Sequence, residues 1–143
     1  MGGISVEEGA RLSQHRTLVF HQGEKPIPVQ RGDTEYVAKT VQLGLGDGVV
    51  FAKFNIKNIT DALLPLASCM LRVGTRFDES GNIQEIKPKM SRLVSLIVGV
   101  NSWLALPPAP QAEIVVTNPL LADNTIEIHN LVVVWLPADL VNI

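Results

Sequence analysis

"NTIEIHNLVVVWLP", residues 124–137, changes character halfway along. From Thr125 to His129 the polar residues Thr125, Glu127 and His129 alternate with Ile126 and Ile128, as a strand with one wet and one buried face requires. Beyond Asn130 the alternation is lost. Leu131, Val133 and Trp135 continue the parity of Glu127 and His129, so the formerly wet side turns apolar, while Val132, Val134 and Leu136 keep the other side apolar too. Leaving three such side chains in water forgoes about 1.5–3 kcal/mol apiece. Both sides therefore need covers. A β-bulge near Asn130 would reset the parity, an N-terminal arm would lie across the second face, or another subunit would.

The rest of the composition sets the frame for that strand. A chain of 143 residues is the length of one domain, able to bury a core without metals or disulfides. Nine prolines and eleven glycines interrupt it too often for long helices, which favours strands. The net charge of −2 comes with no cluster of Lys and Arg, so the electrostatic footprint of a nucleic-acid or polybasic membrane partner is missing. Cys69 is the single cysteine, which excludes an internal disulfide and reads, within "LPLASCMLRV", as a small buried hydrophobe. No apolar run reaches signal-peptide or membrane-helix length, so cytoplasmic production is expected. Met-Gly-Gly at the start lacks the Ser or Thr of a myristoylation signal, since Val6 stands in its place.

Along the chain, Ser5 and Glu8 form a possible capping box for a short helix over about residues 5–14. Gly9 and the few apolar residues, Val6, Ala10 and Leu12, leave it marginal without a surface to lie on. Residues 1–16 are read as an arm, and residues 17–143 as a single β-sandwich domain. Pro26 and Pro28 confine their segment to a sheet edge or an extended loop. "YVAKTVQLG" and "GVVFAKFNIKNI" flank Gly46, Asp47 and Gly48, a strong local hairpin signal. In the second of these strands Val50, Ala52, Phe54 and Ile56 form the core side and Lys53, Asn55 and Lys57 the wet side. "MLRVGTRF" turns at "DESGN" into "IQEIK" as a second hairpin. "SRLVSLIVGV" reads as a central strand, "PPAPQ" stops regular structure, and "AEIVVT" is a short strand. About eight strands with a few helical turns suggest an all-β, antiparallel two-sheet sandwich of jelly-roll type, or a partly closed barrel.

Chemistry is sparse. His15, His21 and His129 lie far apart without Cys, Asp or Glu at metal-ligand spacing, so no metal site, cofactor site or catalytic residue is assigned. "GLGDGVV" precedes a strand where a phosphate loop needs a helix. Arg31-Gly32-Asp33 reads as a turn, and Asn58-Ile59-Thr60, a glycosylation acceptor pattern, has no secretion signal to put it to use. A carbohydrate- or small-ligand-binding jelly roll remains the alternative function, with Trp103 and Tyr36 as its aromatic candidates.

The arm "GGISVEEGARLSQHR", the segment "GDGVVFAKFNIKN" and the terminal strand "NTIEIHNLVVVWLP" together resemble the small β-sandwich decoration or cement proteins of tailed-bacteriophage capsids. The resemblance is one of pattern over most of the chain, and no contact residue transfers from it. It implies a non-catalytic structural protein of a virion, assembled in the host cytoplasm, which oligomerises with itself and clamps a major capsid or other virion protein. Val6, Leu12, Leu131, Val133 and Trp135 are the expected subunit-interface residues.

Overall fold

The computed structural model describes residues 17–21, 23–31, 34–43, 48–64, 68–80, 85–100, 111–117, 123 and 125–137. The expected arm, residues 1–16, lies outside them. The described residues form nine strands and no helix: β1 (Thr17–His21), β2 (Ile27–Pro28), β3 (Glu35–Gln42), β4 (Gly48–Asn58), β5 (Ser68–Val73), β6 (Arg76–Glu79), β7 (Ser91–Val100), β8 (Gln111–Thr117) and β9 (Ile126–Pro137). They make two antiparallel sheets. The first runs β1-β9-β4-β7, with β2 also on β9, and the second runs β3-β8-β5-β6.

The pairing is nested: β1 and β2 with β9, β3 with β8, β4 with β7, and β5 with β6. Successive nested pairs fall in opposite sheets, which is the wrapping of a jelly roll. β1 and β2 act as one interrupted strand, since β2 meets Glu127 and Ile128 while β1 meets Val132 to Trp135 along the same edge. Pro26 and Pro28 fit this edge position, where a missing backbone donor costs no ladder bond.

Alternation along the strands builds the core. Val50, Ala52, Phe54 and Ile56 of β4 and Val94, Leu96 and Val98 of β7 are buried, and they face Cys69, Leu71 and Val73 of β5 with Ala112, Ile114 and Val116 of β8. At one end Asn58, itself wholly buried, ties three segments together. Its Nδ2 donates to the carbonyls of Ala62 (2.7 Å) and Ile86 (2.8 Å), and its Oδ1 accepts from the backbone N–H and the hydroxyl of Thr60 (2.8 and 2.7 Å). All four hydrogen-bonding positions of the amide are used.

The opening question is answered at Asn130. This residue has φ of 57°, a left-handed conformation that Asn tolerates better than other residues with a Cβ. Lys53 of β4 lies opposite Val132 and Asn55 opposite His129, so both Asn130 and Leu131 face the single residue Phe54. That is a β-bulge, and it shifts the parity by one. Ile126, Ile128, Leu131 and Val133 consequently share the inner face and are all buried in the chain's own core. Of the three coverings, the bulge accounts for Leu131 and Val133.

Several local expectations give way to non-local pairing. β3 and β4 lie in different sheets, so Gly46-Asp47-Gly48 does not close a hairpin between them. The hairpin that forms joins β5 to β6 through Gly74 and Thr75, with Val73 opposite Arg76 and Gly74 at φ of 61°. "MLRVGTRF" is thus two strands, and the turn lies earlier than "DESGN". β7 is an edge strand rather than a central one. Its free edge is met from the other sheet: Ile97 N–H donates to Asp78 Oδ2 (2.9 Å), and Arg76 Nη1 approaches the Gly99 carbonyl (3.5 Å). Unpaired edge groups invite foreign strands, and these two side chains occupy them.

Candidate functional site

The sandwich has two outer faces, and they differ. On the second sheet, Met70 and Val115 are directly opposite each other on the outward side, with Val37 beside Val115 on β3. Both are buried although neither belongs to the core cluster. Their cover comes from the chain itself. Arg72 Nε donates to Glu113 (2.9 Å) and its Nη1 to both carboxylate oxygens of Glu35 (2.9 and 3.0 Å). Glu113 is paired with Arg72, whereas Glu35 lies in the row of Thr117, so the guanidinium arches over the intervening Val37–Val115–Met70 row. The two carboxylates raise the Arg72 pKa above its ordinary value, Glu113 contributing most. On the other flank the Ser68 hydroxyl bonds to Glu79 (3.0 Å) and to the Thr117 hydroxyl.

Among the described residues no such arch spans the apolar end of the first sheet. The residues of β4 that alternate with the core set pair sideways into rows. Val134 of β9, Phe51 of β4 and Ile97 of β7 make one row, and Leu136, Val49 and Gly99 make the next. Phe51 is 40% exposed and Ile97 49%, while Val49, Val134 and Leu136 are half-buried. Further along, the same face becomes polar. Lys53 lies beside Val132 and Ser95, Asn55 beside His129 and Leu93, and Lys57 beside Glu127 and Ser91. His129 Nε2 sits 3.0 Å from Glu127 Oε1, so the wet side expected from Lys53, Asn55 and Lys57 is present over half the sheet only. The apolar half is the candidate functional surface, its two rows holding only hydrocarbon side chains and a glycine.

The interface residues read from the sequence are distributed differently. Leu131 and Val133 are fully buried and form no surface, because the bulge turned them inward. Trp135 packs, half-buried, against the core, and its Nε1 is enclosed without a hydrogen-bond partner. Val6 and Leu12 lie outside the described residues. Of the aromatic candidates for ligand binding, Tyr36 packs against the core and Trp103 lies outside the described residues. Phe51 and Ile97 were not among the candidates. Their signal was present in the sequence as two large apolar residues sharing parity with Lys53 and Ser95, one on each of two neighbouring strands.

Other sequence features also find their place. Cys69 is wholly buried, and desolvation pushes its thiol up to about 12 from 9.0, so it behaves as a hydrophobe. Asn58, with its amide fully bonded inside the fold, has no room for a glycan. Arg31 is exposed and its backbone N–H donates to Asp123; Gly32 and Asp33 lie outside the described residues. Among the described residues no three His, Cys, Asp or Glu side chains gather as metal ligands would.

No protein-family model matches the chain. No curated protein matches it in sequence. Solved structures do match in fold. A chain from the structure of infectious bursal disease virus, Gt strain, superposes with a TM-score of 0.51 at 8% identity, over 86% of this chain and 32% of that one. The Gx strain of the same virus gives 0.51 at 7% identity, over 82% of this chain and 31% of the other. This chain therefore spans about a third of the length of those virus chains. A carbohydrate-binding module from a Cellvibrio mixtus lichenase, in complex with cellotriose, is similar over 85% of this chain and 92% of that one, at 8% identity and a TM-score of 0.35. The shared property is the fold: an antiparallel β-sandwich of a kind present in a virus.

Proposed function

We propose that this protein is a non-catalytic structural subunit of a virion, which binds neighbouring subunits through the outer face of the β1-β9-β4-β7 sheet. A capsid decoration or cement role, of the kind found in tailed bacteriophages, fits it best. The partners are further copies of the chain and a major capsid or other virion protein, joined in the host cytoplasm. This reading rests on one contrast. The chain roofs the apolar row of its second sheet with Arg72, Glu35 and Glu113, yet leaves Phe51 and Ile97 40–49% exposed in adjoining positions on the first. A contiguous exposed apolar area marks a place of association. The fold shared with the virus chains supports the setting.

Sedimentation velocity over a wide concentration range tests it, with Phe51→Glu and Ile97→Glu as variants. Both side chains are partly in water, so the variants are expected to keep the circular dichroism of the wild type. The wild type should associate with rising concentration and the variants should stay monomeric. A wild type that remains monomeric throughout, or variants that associate equally well, would overturn the reading.

A further inference from the structure

We propose that the outer face of the first sheet receives the outer face of the second sheet of another copy, so that copies stack face to back; this rests on the reading above and names the occupant of that surface. Charge singles out the pairing. Among the described residues, the outer face of the first sheet carries Lys53 and Lys57 against the one carboxylate of Glu127, which His129 already engages. Neither lysine forms an ion pair with a described residue. The outer face of the second sheet carries Glu35, Glu79 and Glu113 against the one guanidinium of Arg72. Arg72 serves Glu35 and Glu113, while Glu79 accepts from the Ser68 hydroxyl and meets no cation among the described residues. One face is thus left net positive and the other net negative.

The order of the rows agrees with the signs. On the first sheet Phe51 and Ile97 lie in one row and Lys53 in the next, two residues along β4. On the second, Phe77 is 60% exposed beside Arg72 in one row, and Glu79 stands beside Met70 in the next, two residues along β6. Each face therefore presents an aromatic ring followed, about 7 Å further on, by a charge that its own chain does not neutralise. The two charges are opposite. Set against each other, Phe51 meets Phe77 and the Arg72 guanidinium, a group that stacks on aromatic rings, while Lys53 meets Glu79. Two copies joined first face to first face would instead bring surplus positive charge against itself. Face-to-back contact uses two different patches, so each copy keeps one patch open for the next.

Exchanging these two exposed charges in the full chain tests the proposal. Lys53→Glu and Glu79→Lys should each weaken self-association about tenfold in sedimentation velocity, because each sets like charges opposite one another. Mixing the two variants should restore it. So should the double variant, Lys53→Glu with Glu79→Lys, in which the pair re-forms with its signs exchanged; damage to the fold would not be repaired in this way. Association of the wild type should also weaken as salt rises. If Phe51→Glu abolishes association while Glu79→Lys leaves it intact, the first face is an interface but the second sheet is not its occupant, and face-to-back stacking is overturned. If both single variants lose association and neither the mixture nor the double variant regains it, the pairing of Lys53 with Glu79 is overturned. If the wild type stays monomeric at every concentration, the function proposed above fails as well.

Discussion

Substitution of Asn130 offers the sharpest test of how this sequence chooses its fold. Residues 131–136 are apolar on both sides, so hydrophobic pattern alone does not fix their register. A slip by one residue would put Val132 where Leu131 stands, Val134 for Val133 and Leu136 for Trp135. The core would lose a methylene at the first site, about 0.8 kcal/mol, and nothing in volume at the second, while at the third a leucine would replace the half-buried indole of Trp135. Over residues 131–134 what selects the native arrangement is the left-handed residue opposite the stretch between Lys53 and Asn55 of the facing strand. Asn130 is exposed, so its replacement changes little but backbone preference. Asn130→Val should cost about 1–2 kcal/mol for forcing a Cβ-branched residue to positive φ. At about 2–4 °C per kcal/mol for a chain of this size, the melting temperature should fall by several degrees. Asn130→Gly should match or slightly exceed the wild type. Urea unfolding followed by tryptophan fluorescence and circular dichroism reads both. Equal stability of the Val and Gly variants would refute the assignment of register to this bulge.

Three further outcomes follow from buried groups. Asn58→Ala removes one donor each from the Ile86 and Ala62 carbonyls, which keep the Leu64 N–H and the Thr60 hydroxyl, and takes the acceptor from the Thr60 amide, so it should cost about 1–3 kcal/mol in chemical unfolding; a loss below about 0.5 kcal/mol would show that the latch is dispensable. Cys69 should resist thiol reagents at the rate of global unfolding, and an immediate reaction in native buffer would contradict its burial. Its pKa is raised in the folded state, from 9.0 to about 12, so the unfolded chain releases the proton first as pH rises. Stability linked to Cys69 is therefore whole below pH 9 and lost progressively between about 9 and 12, and the gap between wild type and Cys69→Ala should change over that interval alone.

The strand content was legible because alternation is local: β4 and the first half of β9 stand in the sequence as period-two patterns. The pairing was not. Gly46-Asp47-Gly48 has the composition of a tight hairpin, but β3 finds β8 and β4 finds β7 and β9 at sequence distances that no turn signal reports. Gly74, with fewer glycines around it, closes the hairpin because Val73 and Arg76 face each other across two residues. The same limit governed the surface residues. Leu131 and Val133 looked outward by parity, and a single residue at φ of 57° turned them inward. Phe51 and Ile97 looked like noise on mixed faces until the register set them side by side.

Two ways of joining copies are open to any β-sandwich, through an edge or through a face, and this chain treats them oppositely. The edge of β7 has the carboxylate of Asp78 on the Ile97 amide and the Arg76 guanidinium near the Gly99 carbonyl, so an incoming strand would first have to displace two charged side chains. The face of the same strand carries Ile97 itself, in contact range of Phe51, with no charged residue in either apolar row. Burying Phe51 and Ile97 from their present exposure would return only part of the 1.5–3 kcal/mol that each full burial is worth. A contact of that size is weak alone and accumulates when many copies are held in a lattice, where each subunit is already near its neighbour. A guarded β7 edge beside an open apolar face fits the association proposed above, which joins copies through the face and not by strand addition.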